Sequence, residues 1–226
     1  MKISYRLVII ITVFVTCLIT ANVIGVKIIG IGRFNLPAAI FVFPLSYIFG
    51  DILTEVYGYR LARRVIWLGF TCNLIFVFFA WIGQLLPAAS FWGDQEAYKS
   101  ILGFAPRLLA ASFCGYLVGE FANSFVLSRM KVLTGGRWLW SRTIGSTIIG
   151  EGLDTAIFIT LAFIGTTSFA PVMILNHWVA KVLIEVAFTP VTYVIVNRLK
   201  QKEGINVYDS KTRYNPFFIM EKGETT

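Results

Sequence analysis

Charge is what this chain has least of. Only 14% of its residues are Asp, Glu, Lys or Arg, where a soluble domain carries about a quarter. It has one histidine and three cysteines. Cys17, Cys72 and Cys114 all stand within apolar stretches and show no metal-ligand spacing, so they read as inert buried thiols. The chain also lacks a His-x-x-Glu-His type metal motif, a nucleophile elbow and a glycine-rich phosphate loop. Those absences argue against the common enzyme classes, and no cofactor and no metal are expected. Gly135-Gly136 follows Thr134 in a basic connection and reads as a turn, not a phosphate cradle. The apolar run from Met1-Lys2 to Asn22 is too long for a signal-peptide core and has no small-x-small cleavage site. Val15-Thr16-Cys17 is a poor lipobox, so this run reads as a first membrane span.

What is abundant is apolar. Hydrophobic residues make up 57% of the 226, mean hydropathy is +0.73, and 20 Phe and 6 Trp suit lipid-facing and interfacial surfaces. Six stretches are long enough to span a bilayer, at about 20 residues each: 6–29, 36–57, 65–87, 107–129, 142–165 and 171–197. The fold class is therefore an all-α polytopic membrane protein. The expected organisation is a six-helix transmembrane domain over 1–199 and a short polar tail over 200–226. The second span contains Pro44 and Gly50 and has a polar lower half, so it is expected to be bent or partly unwound. The loop over 87–106 is aromatic and mildly acidic, which suits an interfacial loop or a cover over a site.

The net charge of +8 is a topology signal, because the basic residues cluster beside span ends. Fifteen Lys and Arg fall on one side and four (Lys27, Arg33, Lys99, Arg107) on the other, with Lys181 inside a span. This asymmetry places both termini in the cytoplasm and gives no support to nucleic-acid binding. Lipid is the expected surroundings.

Six of the twelve acids lie inside these spans. Each costs about 2.5–3.5 kcal/mol at mid-bilayer on insertion scales, which calls for a compensating role. Three stretches repeat one phrase, a glycine and an acid followed at helical spacing by a second polar residue. They are Gly50-Asp51…Glu55, Gly119-Glu120…Asn123-Ser124 and Gly150-Glu151…Asp154. Residues three or four apart share a helix face, so these groups stack, and His177, Lys181 and Glu185 form one stripe on the last span. Glycines beside the acids let helix backbones approach closely.

Gluing helices together suffices for Asn22, Asn73 and Ser124. Asp51 and Glu55 lie near Arg60, Arg63 and Arg64, and either a cytoplasmic salt-bridge clamp or a ligand role fits them. Glu120, Glu151, Asp154, Lys181 and Glu185 fall near the middle of three helices, where one lysine cannot pair four carboxylates. That imbalance points to a binding site. His177 suits a hydrogen-bonding position near a helix end or a ligand contact. Such a cavity suits a small planar molecule rich in N–H donors, which a carboxylate accepts in pairs and an aromatic face stacks upon. A cation path or proton relay fits the acids but explains the aromatics less well.

The run Phe43-Pro44-Leu45-Ser46-Tyr47-Ile48-Phe49-Gly50-Asp51-Ile52-Leu53-Thr54-Glu55-Val56-Tyr57-Gly58-Tyr59-Arg60 resembles the signature of the queuosine-precursor transporters. The likeness continues through Gly119–Ser124, Ser141–Ser146, Gly150–Thr155, Lys181…Glu185…Thr189-Pro190 and the tail's Tyr208-Asp209 and Asn215-Pro216-Phe217. It implies a bacterial inner-membrane importer of 7-deazaguanine bases, with six helices arranged like the substrate-binding components of energy-coupling-factor transporters. Carried onto this chain, it implies a purine-like substrate held by Glu120, Asn123, Glu151, Asp154, His177, Lys181 and Glu185. Asp51, Glu55 and Arg60 would form a gate or structural polar cluster. Those components often carry Ala-x-x-x-Ala on the first helix for docking to an ATPase coupling module. Ala21-x-x-x-Gly25 departs from that pattern, which counts against such a partner. The competing readings are a binding subunit of an ATP-driven transporter, and a proton-linked carrier or intramembrane enzyme built on the same carboxylates.

Overall fold

The computed structural model describes residues 4–31, 34–103, 106–165, 171–210 and 212–218. Lys2, Arg33, Lys211 and Lys222, used above for orientation, lie outside them. Helix α1 is Tyr5–Ile24, opened by Ser4, whose hydroxyl accepts from Leu7 N at 3.1 Å. A hairpin of β1 (Ile28–Ile31) and β2 (Phe34–Pro37) follows. Hydropathy does not predict it, because its β-branched run falls partly within the first and second apolar stretches. The second span then passes through three windings. A 3₁₀ turn (Ala38–Phe41) leads to α2 (Phe43–Ile52) and a π-helical turn (Leu53–Tyr57). The expected irregularity of this span is therefore present.

Four further long helices and one short one complete the chain: α3 (Tyr59–Leu85), α4 (Gln95–Leu102), α5 (Pro106–Leu133), α6 (Leu139–Phe163) and α7 (Pro171–Glu203). Among the described residues six spans are long and apolar enough to cross a membrane, the second of them running from Ala38 to Tyr57. On α3, Leu68, Ile75, Phe78 and Phe79 are exposed, and on α7 so are Val172, Leu175, Val179, Leu183 and Val186. Their three-to-four-residue spacing marks lipid-facing stripes. Beneath them Phe14, Leu18, Ile48, Ile52, Ile66 and Val196 form a common core with Tyr116.

The basic connections are shorter than the hydropathy implied. Arg63 and Arg64 fall in the first turns of α3, Arg142 in the first turn of α6, and Lys200 and Lys202 in the last turn of α7. Only Gly58 separates the second span from α3, and its φ of 88° supplies the reversal. A side chain there is excluded twice, by that dihedral and by Val207, which a Cβ would meet at 2.7 Å. Gly135 and Gly136, at φ 59° and 80°, form the turn expected between the fourth and fifth spans.

The loop before α5 packs against α3. Tyr98 donates to Ala80 O at 3.2 Å and Gln95 to Gln84 O at 3.1 Å. The described part of the tail is not a free extension. Val207 N bonds Val56 O, and Asp209 accepts from Tyr59 N at 2.9 Å and Ser128 Oγ at 2.7 Å. Arg63 donates to the carbonyls of Arg213 and Asn215. The tail thus fastens the start of α3 to the end of α5.

Candidate functional site

The repeated glycine–acid phrase builds the helix contacts. Gly119 and Gly150 meet where α5 crosses α6: a Cβ on Gly119 would stand 2.8 Å from Gly150 O and 2.6 Å from Asp154 Cβ. A Cβ on Gly150 would reach Asn123 Cβ at 2.6 Å, and one on Gly50 would collide with the Glu120 carboxylate. Each glycine is the point of closest approach, and the acid beside it is carried into the seam.

On α6 and α7 this delivers an ion cluster. Lys181 Nζ lies 2.7 Å from Glu151 Oε2 and donates to Asp154 Oδ2 at 2.6 Å. The same ammonium stands 5.0 Å from the centre of the Phe43 ring. Lys181 and Asp154 form part of the wall of a cavity of about 240 Å³. Asn22, Ser112, Thr155 and His177 supply its other polar side chains, and Ile40, Phe43 and Phe158 much of the apolar wall. These residues come from the end of α1, the beginnings of the second span, α5 and α7, and the latter half of α6. The cavity therefore lies toward the end of the bundle opposite Tyr5 and Glu203. Thr155 Oγ1 has no hydrogen-bond partner among the described residues.

A buried acid layer lies beside the cavity without lining it. Asn123 Nδ2 donates to Asp51 Oδ1 at 2.7 Å. Neither carboxylate oxygen of Glu120 or Glu185 has a hydrogen-bond partner among the described residues, nor does the Tyr47 hydroxyl. All of them are buried, and Glu120 stands within electrostatic reach of Asp51, Glu151, Asp154 and Glu185. The excess of acid over base expected from the sequence is present here. Of the seven proposed contacts, Asp154, His177 and Lys181 reach the cavity, while Glu120, Asn123, Glu151 and Glu185 lie behind it.

At the other end of the bundle Glu55 is surrounded by cations. Its Oε1 meets Arg142 Nη2 at 2.8 Å, Lys200 Nζ at 2.6 Å and Lys131 Nζ at 3.7 Å, and Lys131 also bonds the Glu55 carbonyl. The arginines adjacent in sequence supply none of these three ion pairs. Arg60 is exposed on the first turn of α3 beside a cleft formed with Tyr208 and Asp209, and Arg63 is engaged by the tail. Asp51 and Glu55, four apart, also take different partners. Asp51 meets Asn123, while Glu55, one turn further along, lies among the cations.

The sequence did not single out Phe43, Ser112, Thr155 or Phe158 as cavity residues. Thr155 stood inside the repeated phrase, so its position was the available signal. Asn22 and Asn73 do join helices, with Asn22 Nδ2 donating to Asn73 Oδ1 at 2.8 Å, but Asn22 also lines the cavity.

Among the described residues, six membrane-length spans around a mainly apolar cavity that carries Asp154, Lys181 and His177 are those of a multi-pass membrane protein. The chain belongs to the family described as "Putative vitamin uptake transporter", whose model matches residues 37–195. It is similar to a Bacillus subtilis protein named "Probable queuosine precursor transporter", 34% identical over 116 residues. That match covers 51% of each chain, so it spans about half of the relative's length. It is also similar to the Escherichia coli "Queuosine precursor transporter", 26% identical over 182 residues, covering 74% of this chain and 77% of the relative. A Haemophilus influenzae "Probable queuosine precursor transporter" is 25% identical over 169 residues, covering 71% and 68%. These relatives place the chain among transporters rather than enzymes. No solved structure matches it.

Proposed function

We propose that this protein imports queuosine precursors, 7-cyano- or 7-aminomethyl-7-deazaguanine, across the bacterial inner membrane for salvage into tRNA queuosine. The observation that carries this reading is the cavity holding Asp154, Lys181, His177 and Thr155, in a chain whose relatives bear that transporter name. At about 240 Å³ it is somewhat below the roughly 300–1,000 Å³ of drug-sized pockets, which suits a bicyclic base. Asp154 and Asn22 accept the ring's N–H donors, Lys181 and His177 bond its carbonyl, and Phe43 and Phe158 offer aromatic faces. Glu151 holds Lys181 in place. Glu120, Asn123 and Glu185 form the layer toward which the base moves.

With both termini in the cytoplasm, as the basic residues favour, the cavity faces outward and the Glu55 cluster is the inner gate. The six-helix span over 1–199 is then the transport unit, arranged like an energy-coupling-factor substrate component. Transport without an ATPase module is favoured by the first helix. Ala21 and Gly25 line the cavity, and a Cβ on Gly25 would lie 3.5 Å from Ala39 Cβ, so this pair faces inward.

Uptake tests the reading in cells that cannot make queuosine but can complete it from a supplied base. The intact protein should restore queuosine in tRNA. Asp154→Ala should lower uptake at least about tenfold, consistent with losing a charge-assisted hydrogen bond worth about 1.5–3 kcal/mol. Full salvage by an inserted, folded Asp154→Ala protein would remove this residue from the site. Absence of salvage by the intact, inserted protein would remove the function.

A further inference from the structure

The cavity already contains a cation. Asp154 supplies the only carboxylate in its described lining, and that carboxylate accepts from Lys181 at 2.6 Å. The next acid, Glu151, is buried behind the wall and is held by the same ammonium at 2.7 Å. Phe43 presents its ring to that ammonium at 5.0 Å. Two carboxylates and an aromatic face are what a ligand's ammonium group would seek. Here the chain's own side chain satisfies all three.

We infer that Lys181 occupies the cation seat of the cavity and makes the site select an uncharged base over one carrying a cationic arm. This rests on the transport reading above and sharpens its substrate.

The chemistry of the wall supports the selection. A second ammonium entering the cavity meets a like charge at Lys181, and the one carboxylate in the described lining, Asp154, is already paired with that lysine. Displacing Lys181 would leave a cation in the membrane interior without its partners, at a cost the ligand has to offset. A neutral base asks for none of this. Its ring carbonyl accepts from the ammonium where it stands, so the Lys181 ion pairs persist. Its N–H groups meet the Asp154 carboxylate, which stays paired with Lys181, and the amide oxygen of Asn22, whose nitrogen is engaged with Asn73. On the cavity wall itself electrostatic discrimination therefore falls on Lys181, with the surplus acids Glu120 and Glu185 buried behind it.

The test is calorimetric titration of the purified full chain with two probes, the 7-cyano base, which is neutral, and the 7-aminomethyl base, which is cationic at neutral pH. The wild-type protein should bind the cyano base at least tenfold tighter. Lys181→Gln keeps a hydrogen-bonding side chain but releases Glu151 and Asp154, so the preference should swing toward the aminomethyl base by at least tenfold. Lys181→Arg keeps the charge and should keep the wild-type order. A wild-type preference for the aminomethyl base overturns the inference while leaving the transport reading intact, and this holds even where the Gln variant does not fold. An unchanged ratio in folded Lys181→Gln overturns it as well. Binding of neither base by the folded wild-type protein removes the transport reading and this inference with it.

Discussion

Two buried ion clusters face each other along this bundle, and their stoichiometries are opposite. Toward the termini, one acid, Glu55, meets Lys131, Arg142 and Lys200. In the upper half, one base, Lys181, holds Glu151 and Asp154, with Asp51, Glu120 and Glu185 nearby. An acid with surplus cations fastens four separate elements at one point. A base with surplus acids leaves acceptors uncommitted in the middle of a membrane. The first arrangement suits a lock and the second a place where something binds and moves.

The largest effect should come from breaking the lock. Glu55→Ala leaves two almost fully buried cations and the partly exposed Lys200 without their acid. Removing one partner of a buried pair costs about 3–5 kcal/mol. Thermal unfolding of the detergent-purified protein should show this loss, whereas Glu151→Gln should remain folded because Asp154 still holds Lys181. Equal destabilisation by the two substitutions would erase the distinction between the clusters.

A smaller loss is expected at the seam that positions the acids. Gly119→Ala drives a Cβ to 2.6 Å from Asp154 Cβ and 2.7 Å from the Tyr47 hydroxyl. Overpacking of this kind costs about 1–3 kcal/mol and should displace Asp154, so base binding should weaken along with stability. Normal binding by Gly119→Ala would mean the close approach does not shape the cavity. The smallest effect is expected at Asn22 and Asn73. A double-mutant cycle to alanine should give a coupling of about 0.6 kcal/mol, the average for hydrogen bonds between membrane helices. Only the Asn22 change should also alter base affinity, since Asn22 alone of the two reaches the cavity.

These contrasts follow what could and could not be read along the chain. Hydropathy exposed the six spans, and helical spacing exposed the stacked acids, because both are local patterns. The span ends near the basic residues were less legible. Arginines lower hydropathy without ending a helix, so α3, α5, α6 and α7 all extend beyond the apolar windows. Glu55 shows the limit most clearly. Its neighbours in sequence suggested Arg60, Arg63 and Arg64, yet its partners arrive from α5, α6 and α7. The reversal at Gly58 carries the chain into α3, and a single glycine has no strong hydropathy signature. The hairpin was missed for a similar reason, since an isoleucine-rich run fits a span as well as a strand. The cavity's aromatic and hydroxyl lining depends on which helix ends converge, and that convergence is fixed by glycine contacts between distant segments.

The described tail has a consequence for the order in which the molecule is made. The 205–217 stretch leaves the ribosome after all six spans, yet it provides the carbonyls that bind Lys131, Arg63 and Trp67 and the carboxylate that caps α3. Membrane insertion can therefore fix the threading of the helices while the base of the bundle is still unsealed. The seal can form only afterwards, as a late closing step within one chain.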